Sequence, residues 1–288
     1  MPELPEVEVL KRSLQKKIRF CKITRVKIYN RNLRYKVPYS INRNLKNHVV
    51  NNISRISKYL IFHINFSKKL LIHLGMSGTI HLIEKNNKDN TNSSFYHSSY
   101  LPKKHNHIEI SFSNDIKMIY NDPRRFGYLK LLKKNYLSEK PIINLGPDPF
   151  SYKFNFEYIK NFIYKKKINI KNLLMNQKFV GGIGNIYANE ILYYCKLKPT
   201  KTVNQLSKKN ILNIILQARK VLNKAIIFGG SSIRNFKKID GVPGNFQQNF
   251  KVYGKNNTQC PRHGCNGYIQ KILLSNRSAF YCPKCQIL

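Results

Sequence analysis

The sequence predicts an α+β protein with more than one domain. Residues 20 to 132 hold many short, β-branched apolar segments separated by turn residues, whereas the segments after residue 150 carry apolar residues at helical spacing. A strand-rich piece at 250 to 288 closes the chain and carries four of the six cysteines. A chain of 288 residues is long enough to bury more than one core.

The balance of charged residues points to a polyanionic partner. The chain has 52 Lys and Arg against 13 Asp and Glu, a formal net charge of +39, and its 42% of apolar residues is globular usage. Clustered cations gain affinity by neutralising phosphates and releasing counterions, so nucleic acid is the leading partner class. A bias to lysine, asparagine and isoleucine also arises in AT-rich genomes, so the sign of the charge carries more weight than its size.

Neither a secretory signal nor a membrane span is predicted. The first residues are acidic rather than basic, and apolar runs such as YLIF and AIIF are too short to cross a bilayer. We therefore expect a cytoplasmic, monomeric protein that associates with the nucleoid through DNA. In a reducing compartment, a cluster of cysteines indicates a metal site rather than disulfides.

The N-terminal part is predicted as one helix followed by a β-sandwich or barrel. After Pro5, a favoured first-turn residue, apolar residues recur at helical spacing, which predicts an amphipathic helix over 5 to 18. A polar tract at 84 to 104 interrupts the strands and predicts a surface loop. The predicted strand segments are CKITRVKIY, ISRISKYLIFHINF, KLLIHLG, GTIHLI, HIEISF, KMIY and YLKLL.

Beyond the Pro-rich junction LGPDPF at 145 to 150, the pattern becomes helical. GGIGN at 181 to 185 predicts a glycine turn that brings a helix N-terminus close to a phosphate, and it lacks the Lys and Ser/Thr of a P-loop. Glycines between helices are nevertheless more often simple turns. The glycine-rich stretch at 229 to 249 is too long and polar for a linker and predicts a functional loop. The helical segments are FEYIKNFIYKK, IKNLLMN, NIYANEILYYCK and SKKNILNIILQARKVLNKAI.

The terminal cysteines have the spacing of a structural zinc site. Cys260 and Cys265 form one close pair and Cys282 and Cys285 the other, with enough chain between the pairs for a hairpin. Four thiolates can enclose a tetrahedral zinc ion without an open position, and the metal would supply most of the folding free energy of so small a piece. The alternatives are an unmetallated remnant, or His263 replacing one sulfur. The first pair is more widely spaced than the usual two intervening residues, which predicts a looser turn.

Two turns offer apolar side chains for insertion into a duplex. NDPRRFGY places Arg124 and Arg125 beside Phe126 after a strand, and HLGMSG holds Met76 between glycines. A side chain at a loop tip can wedge between bases while guanidinium groups take phosphates or base edges. Each apolar residue alone is more often a core residue, and two such tips in a basic protein favour the wedge.

The opening MPELPEVE has the composition of a reaction centre. Removal of the initiator methionine, usual before proline, would expose Pro2 as a secondary amine that is partly unprotonated near neutral pH. Its attack on a sugar C1′ would expel the base and leave an iminium, which acidifies the C2′ proton and favours strand breakage by elimination. Glu3 is adjacent for proton transfer, and Glu6 lies one helical turn on to orient the amine. Both carboxylates would also suit a plain helix N-terminus.

Seven motifs resemble, in order and spacing, those of the bacterial formamidopyrimidine-DNA glycosylases. They are PELPEVE, SKYL, HLGMSG, NDPRRFG, LGPDP, GGIGNIYANE and RSAFYCPKCQ. The resemblance implies an N-terminal β-sandwich with flanking helices, a helix-two-turn-helix domain and a C-terminal β-hairpin zinc finger holding one structural Zn²⁺, with DNA in the cleft between. We expect boundaries at 1–133, 134–249 and 250–288.

The same resemblance implies a base-excision-repair enzyme with two activities. It would remove 8-oxoguanine and formamidopyrimidines from damaged double-stranded DNA as a glycosylase, and then cleave the strand by β,δ-elimination as an AP lyase. Pro2 would be the nucleophile and Glu3 the acid/base group, with Glu6 also in the catalytic site. Lys58 of SKYL would bind phosphate and assist β-elimination, and Arg277 would assist δ-elimination.

DNA contacts are also implied by the resemblance. Met76, Arg124 and Phe126 would fill the gap left by the extruded nucleotide, with Arg124 facing the orphaned cytosine. The stretch at 229 to 249 would cap the extruded base. The remaining contacts would come from Arg125, His105, Lys167, Asn185 and Arg277.

Two other functions stay open. An endonuclease VIII-like glycosylase for oxidised pyrimidines shares the Pro-Glu start, but Leu4, where those enzymes tend to carry glycine, and the intact NDPRRF favour the purine enzyme. A non-catalytic zinc-ribbon DNA-binding protein is the alternative from another class, and it would gain little from two carboxylates facing phosphate. The longer first cysteine turn and the 84 to 104 insertion depart from the family pattern. The resemblance therefore predicts neither the geometry of the zinc finger nor the conformation of that loop.

Overall fold

A computed structural model gives the fold of two compact units. The residues that it describes are 2–65, 68–84, 103–231 and 246–287. The first unit is Met1–Ile143 with Ile226–Gln247, and the second is Asn144–Ala225 with Gln248–Leu288. The three-domain division of the sequence analysis stays a prediction. Most of the predicted loops at 84 to 104 and 229 to 249 lies outside the described residues.

The strands described in the first unit form two antiparallel sheets of four. In chain order they are β1 (Ile23–Ile28), β2 (Val50–Ile56), β3 (Tyr59–Ile64), β4 (Lys68–His73), β5 (Thr79–Glu84), β6 (Asn106–Phe112), β7 (Ile116–Asn121) and β8 (Tyr128–Leu132). One sheet has the order β1-β6-β7-β5 and the other β2-β3-β4-β8. Both sheets bury β-branched and aliphatic side chains, as sandwich sheets do. Two separate sheets agree with a sandwich and not with a closed barrel.

Helix α1 (Leu4–Ile18) precedes the first strand, and helix α2 (Ile41–Leu45) lies between β1 and β2 in the chain. Proline stands in the first turn of α1, where a missing amide costs nothing. Its apolar stripe is fully buried against β2 and β3, with Leu4, Leu14 and Ile18 each 0% exposed. The helix predicted over 5 to 18 is therefore confirmed, and it begins one residue earlier.

The second unit is mainly helical. Its helices are α3 (Phe156–Ile163), α4 (Ile170–Met175), α5 (Asn185–Cys195) and α6 (Lys208–Ile227), the last two residues of which belong to the first unit. Asn155 and Asn169 cap α3 and α4, because each side chain accepts a hydrogen bond from a first-turn amide. None of the helices in the described ranges is both long and apolar enough to cross a membrane.

A β-hairpin near the C-terminus completes the second unit, with β9 (Gln270–Leu274) paired to β10 (Arg277–Tyr281). Its turn residues Ser275 and Asn276 have φ of 46° and 59°, the left-handed pair that a two-residue hairpin turn needs. The hairpin core packs the cysteines with Tyr193 of α5 and Val252. The predicted α+β class, with sheets first, helices next and a cysteine hairpin last, is confirmed.

Candidate functional site

Pro2 lies directly before two buried carboxylates at the start of α1. Glu3 is the residue that caps this helix, and its amide donates a hydrogen bond to Glu6 Oε2 at 2.9 Å. The Glu3 side chain accepts in return from the amide of Glu6, which completes a capping box. Both glutamates are 3% exposed, whereas Pro2 is partly exposed. The reciprocal bonds fix the backbone that carries Pro2.

Glu6 also holds the start of the glycine-rich stretch. Its Oε1 accepts hydrogen bonds from the Ser231 amide at 2.8 Å and from the Ser231 hydroxyl at 2.9 Å. Gly230 has φ of +81°, and a Cβ there would lie 3.2 Å from Glu6 Oε1. Glycine is needed for this approach because the backbone is left-handed and the carboxylate is close. Glu6 therefore joins two segments, where the sequence suggested only a partner for the amine.

Lys58 lies in the turn between β2 and β3, 6% exposed. Arg55 braces this turn: its Nη1 donates to the Ser57 carbonyl at 3.0 Å and its Nε to Glu8 Oε2 at 2.9 Å. Glu8 belongs to α1, so the helix behind Pro2 and the turn of Lys58 share one ion pair. The sequence analysis missed Glu8 and Arg55, because their separation along the chain gives no local signal.

The Glu8 carboxylate is buried among cations. Burial raises its pKa, but hydrogen bonds from Lys11, Arg55 and Arg12 outweigh burial, and the net shift is downward. A carboxyl whose pKa is lowered in the folded state stabilises the fold above its unfolded pKa, and this contribution is lost as the pH falls through the folded pKa.

We expect Glu8→Gln to lower the free energy of unfolding by about 1 to 3 kcal/mol at neutral pH, because it leaves Arg55 without its charged partner. The difference from the unchanged protein should shrink as the solution is acidified below the ordinary pKa of glutamate. Urea unfolding at several pH values measures it. Glu84→Gln is the matched control, since the Glu84 pair with Lys17 is 31% exposed on both sides and should contribute less than about 1 kcal/mol. Equal losses for the two variants would contradict the bracing role of Glu8.

His73, the last residue of β4, pairs across the sheet with Tyr59, which follows Lys58 in the chain. Burial, reinforced by Lys58 and Arg34 and opposed by Asp122, lowers the pKa of His73 to about 4. The Gly75 amide donates to its Nδ1 at 3.3 Å, so the neutral ring carries its proton on Nε2. His73 stands inside the motif HLGMSG, and the sequence analysis did not single it out.

His73 should therefore stay neutral throughout the physiological range. We expect its ring resonances in NMR spectra to be constant from about pH 8 to about pH 5, where an ordinary histidine titrates. A midpoint near the ordinary value for His73 would contradict this assignment.

The two predicted wedge turns meet at one cavity of about 580 Å³. Met76 and Phe126 are 44% and 45% exposed, and the Arg124 guanidinium carbon lies 4.7 Å from the Phe126 ring centre. The four residues proposed for the wedge turns are thus brought together, along with an arginine that the sequence analysis missed. The lining residues are Arg34, His73, Gly75, Met76, Arg124, Arg125 and Phe126.

Asp122 locks the two turns against each other. This buried side chain accepts from the Ser77 hydroxyl at 2.5 Å through Oδ1 and from the Gly127 amide at 2.8 Å through Oδ2. A Cβ at Gly75 would lie 2.4 Å from the Gly127 nitrogen, so the turns are too close for a side chain there. The Asp122 amide donates to the His105 carbonyl at 3.0 Å, which places His105 beside the same turn.

In the second unit, Asn185 is the first residue of α5 and follows the glycine turn. Gln177 fixes this turn: its amide nitrogen donates to the Ile183 carbonyl at 2.7 Å and its oxygen accepts from the Gly182 amide at 2.9 Å. Within the described ranges, Asn185 Oδ1 is buried without a hydrogen-bond partner. Lys167 is exposed just before α4.

Arg277 is exposed at the first position of β10, on a hairpin that helices α4 and α5 hold in place. The Phe280 amide donates to Asn189 Oδ1 at 2.8 Å, and Lys171 Nζ donates to the Ser278 carbonyl at 3.0 Å. Lys171 is 0% exposed, and burial together with Arg277 lowers its pKa to about 8. The sequence analysis missed Asn189 and Lys171, since both occupy ordinary helical positions.

The four terminal cysteines converge on one point. Their sulfur atoms all lie within 4.8 Å of one another, with 3.8 Å between Cys260 and Cys285 and 3.6 Å between Cys265 and Cys282. His263 is exposed and outside this group, so the set of four sulfurs fits one thiophilic metal ion. The wider first turn does not prevent convergence.

Family models match most of the chain. The model described as the formamidopyrimidine-DNA glycosylase N-terminal domain matches residues 1–129, and the model described as the formamidopyrimidine-DNA glycosylase H2TH domain matches residues 145–237. The formamidopyrimidine-DNA glycosylase of Rickettsia bellii (strain OSU 85-389) is 40% identical over 286 residues and covers 99% of both chains. That of Roseobacter denitrificans (strain ATCC 33942 / OCh 114) is 34% identical over 287 residues, covering 99% of this chain and 100% of the relative.

Solved structures give the same result. A complex of Lactococcus lactis Fpg with DNA containing an abasic site has a TM-score of 0.84 and 32% identity, covering 99% of this chain and 100% of that one. A complex of wild-type Lactococcus lactis Fpg (MutM) with DNA containing N7-benzyl-Fapy-dG has a TM-score of 0.85 and 33% identity, covering 100% of each chain.

Proposed function

The chain belongs to the formamidopyrimidine-DNA glycosylase family, and we propose that Pro2, freed by removal of Met1, is the nucleophile of its reaction. The protein is a DNA-repair glycosylase for oxidised purines with AP lyase activity, and its partner is damaged double-stranded DNA. The substrates are 8-oxoguanine and formamidopyrimidines. It works in the cytoplasm on the nucleoid.

The reaction begins with bond formation between the Pro2 nitrogen and C1′ of the damaged nucleotide. The glycosidic bond breaks, and the base leaves with a proton. The Pro2 nitrogen loses its own proton, and the C1′–O4′ bond of the sugar then breaks with protonation of O4′, which leaves a nitrogen–carbon double bond. The resulting iminium has no neutral imine form and therefore stays positively charged. This charge makes the C2′ proton more acidic, and a base removes it. The 3′ phosphate leaves in this β-elimination and the 5′ phosphate in the following δ-elimination. Covalent attachment thus divides one difficult cleavage into easier steps.

Protein side chains supply the proton transfers and phosphate contacts. Glu3, buried next to Pro2, exchanges protons at the sugar, while Glu6 fixes the backbone on which both stand. Lys58 binds phosphate and assists β-elimination. Arg277 assists δ-elimination from its place on the rigid hairpin.

Duplex DNA is held open by the wedge turns. Met76, Arg124 and Phe126 fill the space of the extruded nucleotide, and the Asp122 bonds keep the two turns from yielding when bases press on them. Arg124 faces the orphaned cytosine. The other DNA contacts are made by Arg125, His105, Lys167, Asn185 and Arg277.

A zinc ion held by Cys260, Cys265, Cys282 and Cys285 has a structural role. The four sulfurs leave no open coordination position, so the ion stabilises the hairpin and takes no part in the chemistry. Buried Glu190 supports the same region, because its carboxylate accepts hydrogen bonds from three consecutive amides. They are those of Lys251, Val252 and Tyr253, at 2.9, 3.0 and 2.9 Å.

One observation carries the proposal: two carboxylates of a strongly basic chain lie buried directly behind Pro2. Glu3 and Glu6 are 3% exposed in a chain of charge +39. A helix N-terminus is capped equally well by exposed carboxylates, so capping alone does not explain why these two are buried. Burying a carboxylate costs free energy, and buried carboxylates are typical of a reaction centre.

Borohydride trapping tests the proposal. The protein is mixed with a duplex carrying one 8-oxoguanine opposite cytosine, beside a matched dihydrouracil duplex and an undamaged one. Reduction of the iminium should give a covalent protein–DNA adduct on the 8-oxoguanine duplex. An adduct on the dihydrouracil duplex alone would show that the substrates are oxidised pyrimidines and not oxidised purines. DNA binding without an adduct on any of the three duplexes would show that the protein binds DNA without catalysing the reaction.

A further inference from the structure

Arg262 lies inside the wider first cysteine turn, between Cys260 and Cys265. Its Nη2 donates to the Tyr193 carbonyl at 2.6 Å, and its guanidinium carbon lies 4.6 Å from the centre of the Tyr193 ring. A side chain from the first cysteine turn is therefore held by Tyr193, which packs in one buried cluster with the cysteines.

Tyr193 completes this edge of the cluster. Its hydroxyl lies 3.8 Å from Cys260 Sγ, and Cys260 Sγ lies 3.8 Å from Cys285 Sγ. The Tyr193 side chain thus contacts one sulfur of this edge, while its carbonyl and its ring hold the guanidinium. Since Tyr193 belongs to α5, the helix itself sets where the guanidinium lies.

The charges of the bound site make this contact consequential. One zinc ion with four thiolates is doubly negative, and Cys260 and Cys282 are 4% and 0% exposed. Removing such a cluster from water costs free energy unless a cation or donors lie beside it. Burying the positive charge of Arg262 also costs free energy, because its Nε has no hydrogen-bond partner among the described residues. Among the described residues its guanidinium contacts a carbonyl and an aromatic ring, neither of which is charged, so the thiolate cluster is the anion that offsets its charge.

We propose that Arg262 is a positioning residue of the metal site, which balances the thiolate charge at the Cys260–Cys285 edge and slows both zinc loss and alkylation of Cys285. The inference rests on the zinc site proposed above and is independent of the chemistry at Pro2. It also gives the wider cysteine turn a purpose, because the additional residues provide the arginine.

Zinc release from the full-length protein tests this role. Zinc content is first measured for every variant, and release to an excess of a chromogenic chelator is then followed well below the melting temperature. Arg262→Gln, which keeps hydrogen-bonding groups but not the charge, should release zinc about 10-fold faster or more, as outer-shell changes do. Arg262→Lys should restore part of the loss, because it keeps the charge without the planar contacts.

Lys284→Gln is the matched control, since it removes the same charge from an exposed side chain between Cys282 and Cys285. Its release rate should stay within about twofold of the unchanged protein. Iodoacetamide should modify Cys285 faster in Arg262→Gln, as read by peptide mass spectrometry. The sulfur-to-metal charge-transfer bands of the cobalt-substituted protein should also shift.

Three outcomes would overturn the proposal. Equal release and alkylation rates in Arg262→Gln and Lys284→Gln would remove the charge-balancing role while leaving the glycosylase function intact. A lower melting temperature with unchanged release and unchanged cobalt bands would make Arg262 a packing residue. Absence of zinc from the unchanged, active protein would show that the four cysteines do not hold zinc. Covalent trapping on the 8-oxoguanine duplex would still support the glycosylase function in that case.

Discussion

Pro2→Gly should abolish most covalent trapping and strand nicking while DNA affinity changes little. Glycine supplies a primary amine whose imine can lose its charge, so the C2′ proton is less acidified, and it lacks the ring that fixes the nitrogen. We expect a loss of at least about 100-fold in nicking of an 8-oxoguanine duplex. Single-turnover kinetics and gel-shift titration measure the two properties separately.

Pro5→Ala is the matched control for this change. Pro5 is the second proline of the same helix start, it is buried, and the proposed chemistry does not use it. The control should trap and nick at nearly the unchanged rate. Equal activity of Pro2→Gly and Pro5→Ala would refute the assignment of Pro2.

Cys282→Ser should release the metal and unfold the C-terminal hairpin. Cys282 is fully buried, and a hydroxyl is a poor replacement for a thiolate at a zinc ion. Because metal binding supplies much of the folding free energy of small zinc domains, the loss should exceed that of an ordinary core substitution. Zinc analysis and DNA titration should show no bound zinc and an affinity at least about 10-fold weaker, since Arg277 loses its support.

Cys195→Ser provides the comparison for that experiment. Cys195 is buried at the end of α5, outside the group of four sulfurs. It should keep zinc and DNA affinity even if its stability falls. Retained zinc and affinity in Cys282→Ser would contradict the structural role of the metal.

Local sequence patterns were sufficient for most of the elements, but α2 was not predicted, and β2 and β3 were predicted as one segment. Proline in the first turn and regular apolar spacing predicted α1, and cysteine spacing predicted the convergence of four sulfurs. The wedge turns were recognisable because cations, glycines and an apolar tip stand within a few residues of each other. Such signals depend only on neighbours along the chain.

The supporting contacts could not be predicted in this way. Glu8 with Arg55, and Asn189 with the Phe280 amide, join residues far apart in sequence, and each side chain looks like an ordinary surface residue until the chain is folded. Asp122 stood inside a recognised motif, but its role as acceptor for two turns depends on how closely Gly75 approaches Gly127. Arg262 was visible in the sequence only as part of a longer spacing.

The central claim is that the chain reacts through the nitrogen of Pro2. Tandem mass spectrometry of the borohydride-reduced adduct, after digestion of protein and DNA, locates the modified atom directly. We expect the reduced deoxyribose remnant on the N-terminal peptide, at Pro2, with Met1 removed. A remnant on Lys58, or an active protein that still carries Met1 or a blocked first residue, would contradict the account.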